Sequence, residues 1–265
     1  MYNEKKKSNY DIKQGREISD IKIIQSLQDK LLLMKNTCSY FFRESGLAGE
    51  TIPFKGFLLY GQPGTGKTEL VKQLTRELDY IFGNNFAKVN LVFIDGSVIA
   101  TPKWGEAEQR LHEIFSDLPT IEKMSKKEEK MNSKFILLFD DIESLMLGRG
   151  VQLAKEWHYS INSVFFHELD RVNPNNTIVI ATTNRNDLVD SAIIDRLYPI
   201  EIPLPPFDDI QIIVNEFLDS TIPSKQKKEE IRIKIIEKLK SLDKISIRDA
   251  KKITIIECIE HGVWI

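Results

Sequence analysis

Cysteine is scarce in this chain. Only Cys38 and Cys258 occur among 265 residues, far apart and without metal-ligand spacing. Neither a disulfide framework nor a thiolate metal site is expected, and a reducing, cytoplasmic setting is the simplest expectation. The four histidines, His112, His158, His167 and His261, include no pair four residues apart, which argues against a zinc-hydrolase helix. No apolar run approaches the roughly 20 residues that cross a membrane. The start, Met1 to Arg16, is polar, carries Lys5-Lys6-Lys7 and lacks the apolar centre of a signal peptide. No membrane partner is expected. Charge of one sign is missing as well: 37 Lys and Arg face 39 Asp and Glu, a net charge of -2. That gives no global pull toward nucleic acid, which is disfavoured as a partner. No internal repeat is visible.

What remains is an ordinary globular composition, 42% hydrophobic and 29% charged, on a length that supports one sizeable core plus a small satellite. Met1 to Arg16 reads as a flexible arm. Ile21 to Phe42 reads as a helix with Ile24, Leu27, Leu31 and Met34 on one face, and Glu44 to Lys55 as a loop. Short apolar or β-branched runs at Phe57–Tyr60, Lys88–Ile94, Phe135–Phe139, Thr177–Ala181 and around Ile200 and Ile202 predict five strands. Helical spacing lies between them, from Leu70 to Leu78, from about Glu106 with Leu111, Ile114 and Phe115, and at Ile161, Val164, Phe165 and Leu169. Strands alternating with helices predict an α/β fold with a three-layer parallel sheet. Glu122 to Lys134 reads as a solvated charged connection. Pro203-Leu204-Pro205-Pro206 marks a boundary. Beyond it the pattern is only helical. Ser224 is an N-cap before Ile231, Ile235 and Leu239, and a last helix carries Ala250, Ile253 and Ile256. The expected units are 1–50 (arm and helix), 51–205 (nucleotide-binding α/β domain) and 206–265 (small all-helical lid).

The most informative feature is Gly61-Gln62-Pro63-Gly64-Thr65-Gly66-Lys67-Thr68, the spacing of a phosphate-binding loop between an apolar strand and a helix. Glycines at 61, 64 and 66 let main-chain amides close on phosphate oxygens as an anion nest. The following helix, opening with Lys67, Thr68 and Glu69, adds its positive dipole end. Lys67 is expected on the β and γ phosphates of ATP, and the Thr68 hydroxyl on Mg²⁺. Asp140 ends an apolar strand downstream, where a carboxylate orients that Mg²⁺.

Together the loop and Leu138-Phe139-Asp140-Asp141-Ile142-Glu143-Ser144-Leu145 resemble the AAA+ ATPases, specifically their protein-remodelling branch. The second string is similar to the Walker B segment of that family. Asp141 stands where most members carry the Glu that polarises the attacking water. Ala181 to Ala192 resembles the sensor-1 region, which implies that Asn184 orients the lytic water or the γ-phosphate. In Ile193-Ile194-Asp195-Arg196 the resemblance implies an arginine finger, Arg196, aimed at the next subunit. Thr101-Pro102-Lys103-Trp104-Gly105-Glu106 occupies the place of the pore loop, with Trp104 as the residue gripping polypeptide. Ser246-Ile247-Arg248-Asp249 implies a sensor-2 contact from Arg248 to phosphate. Asp141 to Leu145 and Lys103-Trp104 are similar to the remodellers of HORMA-domain proteins and to katanin and spastin relatives.

The function so implied is an Mg²⁺-dependent ATPase that works as a ring, a hexamer, and remodels a protein client delivered directly or by an adaptor. Two other functions stay open at this point. One is an ATPase acting on DNA, such as a helicase loader or transposition helper. The other is a nucleotide-gated regulator that hydrolyses weakly, which the shorter side chain of Asp141 motivates.

Overall fold

The computed structural model describes residues 10–43, 53–83, 87–99, 105–116, 132–146, 156–222 and 224–263. In chain order the strands are β1 (Asp11–Gln14), β2 (Gly56–Tyr60), β3 (Ala87–Asp95), β4 (Asn132–Asp140), β5 (Thr177–Thr183) and β6 (Tyr198–Glu201). The helices are α1 (Gln28–Phe42), α2 (Lys67–Phe82), α3 (Gly96–Ile99), α4 (106–116), α5 (Glu156–Arg171), α6 (Ser191–Ile194), α7 (Phe207–Thr221), α8 (Lys225–Lys240) and α9 (Ile247–Glu260).

The strands form one six-stranded sheet in the order β1-β3-β4-β5-β2-β6. All neighbours are parallel except β1 and β3. Alternation along the strands divides the core in two. Leu58, Val92, Leu137, Phe139 and Val179 face α4 and α5, where Leu111, Ile114, Ile161, Phe165 and Leu169 meet them. Phe57, Leu59, Leu91, Leu138 and Ile180 face the other way, against Leu31 and Met34 of α1 and Leu70, Leu74 and Leu78 of α2. The central strands β2, β4 and β5 are apolar on both faces because both faces are covered by helices. The helices after the proline cluster have a core of their own, built from Ile210, Val214, Leu218, Ile231, Ile235, Leu239, Ala250 and Cys258.

Strand β2 lies between β5 and β6, while the chain that leaves it through α2 pairs next on the far side of β4. The sheet therefore has a switch point at β2, where a crevice opens beyond the carboxyl ends of the strands. The phosphate loop leaves β2 at that point. Register then brings the ends of β4 and β5 beside it, because Phe139 pairs with Ala181 and Tyr60 with Thr183.

Three sequence expectations need correction. The flexible-arm reading fails for residues 10–16, where β1 pairs with β3 and the buried Asp79 carboxylate accepts from Arg16 N and Nε and from Gln14 Nε2 at 3.0–3.1 Å; Met1 to Asn9 lie outside the described residues. The first long helix begins at Gln28 rather than Ile21, after a 3-10 turn at Gln25–Leu27. Two amides upstream are spent on tertiary partners, Ile21 N on Gln73 Oε1 and Ser26 N on Asp209 Oδ2, both at 3.0 Å. The charged connection ends before Lys134, which is buried in β4 and donates Nζ to Asn175 O at 2.7 Å. The last helix contains Ala250, Ile253 and Ile256 as expected, with Ala250, Thr254 and Cys258 on its buried side. Among the described residues no helix is long and apolar enough to cross a membrane.

Candidate functional site

Two helix N-termini converge on the loop after β2. Helix α2 begins at Lys67 with Gly66 as its cap at φ 96°, and Gly64 has φ 76°. Both values lie in the left-handed region that glycine adopts without steric cost. Gly64 is needed for a second reason. A Cβ there would stand 2.7 Å from Ser246 Oγ and 2.9 Å from Arg248 Cβ. Helix α9 thus begins directly against the loop. Its first turn is fixed by a capping box in which Ser246 Oγ accepts from Asp249 N and Asp249 Oδ2 accepts from Ser246 N.

The Lys67 ammonium uses its three donors on Gly61 O (2.8 Å), Gln62 O (3.0 Å) and Asn184 Oδ1 (2.7 Å). Burial pushes its pKa down and Arg248 adds to that, while Asp141, Glu143 and Asp140 pull it back up. Thr65 Oγ1 also donates to Gln62 O, which pins the loop. Thr68 Oγ1 donates to Asp140 Oδ1 at 2.8 Å. Glu69 pairs with Lys72 at the cleft rim.

The floor comes from the ends of β4 and β5. Asp140 Oδ1 accepts from Thr182 Oγ1 at 2.7 Å, and Thr182 Oγ1 accepts from Asp141 N at 3.1 Å. Asp141 has φ 51°, the one positive value at a non-glycine residue among those described, and the chain turns there into a 3-10 turn, Ile142–Ser144. Asn184 Nδ2 donates to Asp141 Oδ1 at 2.8 Å. The Asn184 side chain therefore bridges Lys67 and Asp141. Asp141 is raised above the usual carboxylate range, first by desolvation and then by the charges of Asp140 and Glu143, with Lys67 opposing.

The groups line a cleft of about 890 Å³, inside the range of small-molecule sites. Pro63, Gly64, Gly66, Lys67, Thr68, Asp140, Asp141, Asn184 and Arg248 share it with an apolar wall of Ile21, Ile23, Ile213, Phe217 and Ile255. An anion-binding end and an apolar end suit a nucleotide. For a divalent cation the fit is specific. Among the described residues no group of three or more His, Cys, Asp or Glu is arranged to hold a metal alone. Thr68 Oγ1 and Asp140 Oδ1 instead offer two hard oxygens side by side. That partial set suits Mg²⁺, which keeps waters and takes its remaining ligands from substrate phosphates.

A model of the family described as "ATPase family associated with various cellular activities (AAA)" matches residues 57–204, more than half of the chain and all of the floor just described. The chain belongs to the AAA family of ATPases.

Similar AAA proteins include a "Proteasome-associated ATPase" of Kineococcus radiotolerans, 31% identical over 190 residues, which are 69% of this chain and 31% of the relative. An "AAA ATPase forming ring-shaped complexes" of Corynebacterium urealyticum is 28% identical over 64% of this chain and 32% of its own length. The "Cell division cycle protein 48 homolog" of Archaeoglobus fulgidus is 34% identical over 57% of this chain and 19% of its own. The chain thus spans about a third or less of the length of these relatives. A chain in the "Structure of E. coli MS115-1 HORMA:CdnC:Trip13 complex" superposes with a TM-score of 0.63 over 88% of both chains at 16% identity, a likeness of fold. The AAA fold is therefore a P-loop α/β sheet with a helical region after it.

Of the residues picked from sequence, Lys67, Thr68, Asp140, Asp141, Asn184 and Arg248 meet in this AAA site. Arg196 does not line it. It is bound to Asp170 in a two-pronged ion pair, donates to Ala192 O and lies over the Phe166 ring. Trp104 lies outside the described residues. Thr182, Glu143 and the apolar wall were not singled out. Thr182 comes to light only through register, since it stands next to Ala181, the partner of Phe139. The wall had no signal, because it is assembled from segments almost 200 residues apart.

Proposed function

We propose that this chain is an ATP-hydrolysing module that binds ATP–Mg²⁺ in the cleft between the α/β unit, residues 51–205, and a helical lid, residues 206–265. One observation carries the reading: Lys67, Asp141 and Asn184 form a continuous hydrogen-bonded chain over the Thr68–Asp140 pair. Lys67 and the loop amides neutralise phosphate charge, Thr68 and Asp140 hold Mg²⁺, and Asp141 with Asn184 orients and polarises water for attack on the γ-phosphate. Arg248, seated on the loop from the lid, reads whether phosphate is present.

The active form in this reading is a ring, with Arg196 of one subunit completing the site of the next. The similarity to a ring-forming ATPase and to a proteasome-associated ATPase supports that assembly and a polypeptide client. Lid movement on hydrolysis would carry Trp104 and pull on that client. Titration calorimetry of the intact chain with ATP at millimolar Mg²⁺, followed by phosphate release, tests the reading. Uptake abolished by Lys67→Ala is expected. No uptake by the folded native chain overturns it. Uptake without turnover at assembled concentrations favours a nucleotide-gated regulator.

A further inference from the structure

Glu143 sits in the 3-10 turn that follows Asp141, a turn held shut by Ser144 N and Oγ, which both donate to Asp141 O. Its two carboxylate oxygens are used differently. Oε1 reaches across from the end of β4 and accepts the main-chain N–H of Asn184 at 3.0 Å. Oε2 is buried and has no hydrogen-bond partner among the described residues. A carboxylate oxygen kept from water without a donor is costly, and a residue serving only to fill space would be neutral. The neighbouring amide of Arg185 is held locally instead, donating to Thr183 Oγ1 at the end of β5 at 3.0 Å. Beyond the Thr182–Asp140 contact, the Asn184 amide is thus a second point where a side chain ties the end of β5 to the end of β4.

We propose that Glu143 is a positioning residue of the nucleotide site, clamping the main chain of Asn184 so that its side-chain amide spans Lys67 and Asp141. The inference rests on the nucleotide-site reading above. Asn184 donates through Nδ2 to Asp141 and accepts through Oδ1 from Lys67, 2.8 and 2.7 Å away. Both contacts hang on one Cα, so a small shift of the Asn184 main chain breaks both together. Misplacement of about 1 Å in such a constellation costs on the order of 10²-fold in rate. Binding by the loop amides and Lys67 is left intact.

The test compares Glu143→Ala, Glu143→Asp and Glu143→Gln. The glutamine keeps an acceptor of the same reach; the aspartate is too short. Glu143→Ala and Glu143→Asp should lower kcat for ATP by roughly 10- to 100-fold with KM within about threefold, and Glu143→Gln should recover most of the loss. Hydrogen exchange at the Asn184 amide in the nucleotide-free chain supplies a second reading. It should be slow in the native and glutamine forms and fast in the other two. Native exchange in Glu143→Ala or Glu143→Asp overturns the clamp, as does a rise in KM that accounts for the whole change in rate. If the alanine variant does not fold, the aspartate–glutamine pair decides. If the native chain neither binds nor hydrolyses ATP, the proposed function falls, while exchange at Asn184 still decides the clamp.

Discussion

Arg196 and Asp170 are joined by two parallel contacts, Nε to Oδ1 at 2.7 Å and Nη2 to Oδ2 at 3.0 Å. The pair ties the turn after α6 to the last turn of α5, and the hydrogen bond to Asp170 raises the guanidinium pKa further. An arginine serving a neighbouring subunit would have to leave this carboxylate. Arg196→Ala should then lower turnover by on the order of 10³-fold with ATP affinity within about threefold. Mixing Arg196→Ala subunits with Asp141→Asn subunits should restore part of the turnover, since some interfaces regain both groups. A purely structural arginine would lower the melting temperature and give no recovery on mixing.

Asp141 is drawn toward Asn184 by the 2.8 Å contact from Nδ2, and its side chain is one methylene shorter than a glutamate. Asp141→Glu should raise kcat by about tenfold, equivalent to about 1.4 kcal/mol of barrier, with KM unchanged. Asp141→Asn should bind ATP and lose at least about 10²-fold in turnover. Steady-state phosphate release alongside equilibrium ATP binding checks both.

Asp79 is fully buried and accepts from Arg16 N, Arg16 Nε, Gln14 Nε2 and Val89 N. Removing it strands the Val89 amide in the core and releases β1. Asp79→Ala should cost on the order of 3 kcal/mol in urea unfolding. Hydrogen exchange over Asp11–Gln14 should accelerate more than exchange over β4.

The cap of α9 sits on the phosphate loop, so lid stability and nucleotide binding are linked there. Ser246→Ala should cost about 1 kcal/mol and weaken ATP binding. The Asp249 carboxyl is held below the usual range mainly by the Ser246 hydroxyl. Its contribution is complete above the usual Asp value, near pH 4, and drains away as pH falls through the lower value of the folded state. Thermal melts from pH 6 to pH 3 should show a smaller acid loss in Ser246→Ala than in the native chain.

The alternating pattern of strands and helices was legible because β2, β4 and β5 are buried on both faces and the helices on one, so periodicity and burial coincide. The first helix was read too early because Ile21 and Ile24 fall in helical spacing with Leu27, Leu31 and Met34, but residues 21–24 line the cleft without regular secondary structure. The stretch 10–16 carried only Tyr10 and Ile12 as apolar cues, and its anchor, Asp79, lies more than sixty residues away. In the site, residues within contiguous motifs were found, since local spacing encodes the loop and the strand ends. Glu143 and Thr182 lay inside those motifs, but their roles depend on register between β4 and β5, which no single segment contains.

The two margins of the sheet share a property. On one side β1 is four residues long and carries Asp11, Lys13 and Gln14; on the other β6 is equally short and contains Pro199. Charge, brevity and a missing amide donor all discourage further strands from adding on. Copies of this chain packed at high local density would therefore associate through helices and loops, and the same margins would guard the crowded assembly against fibrous growth.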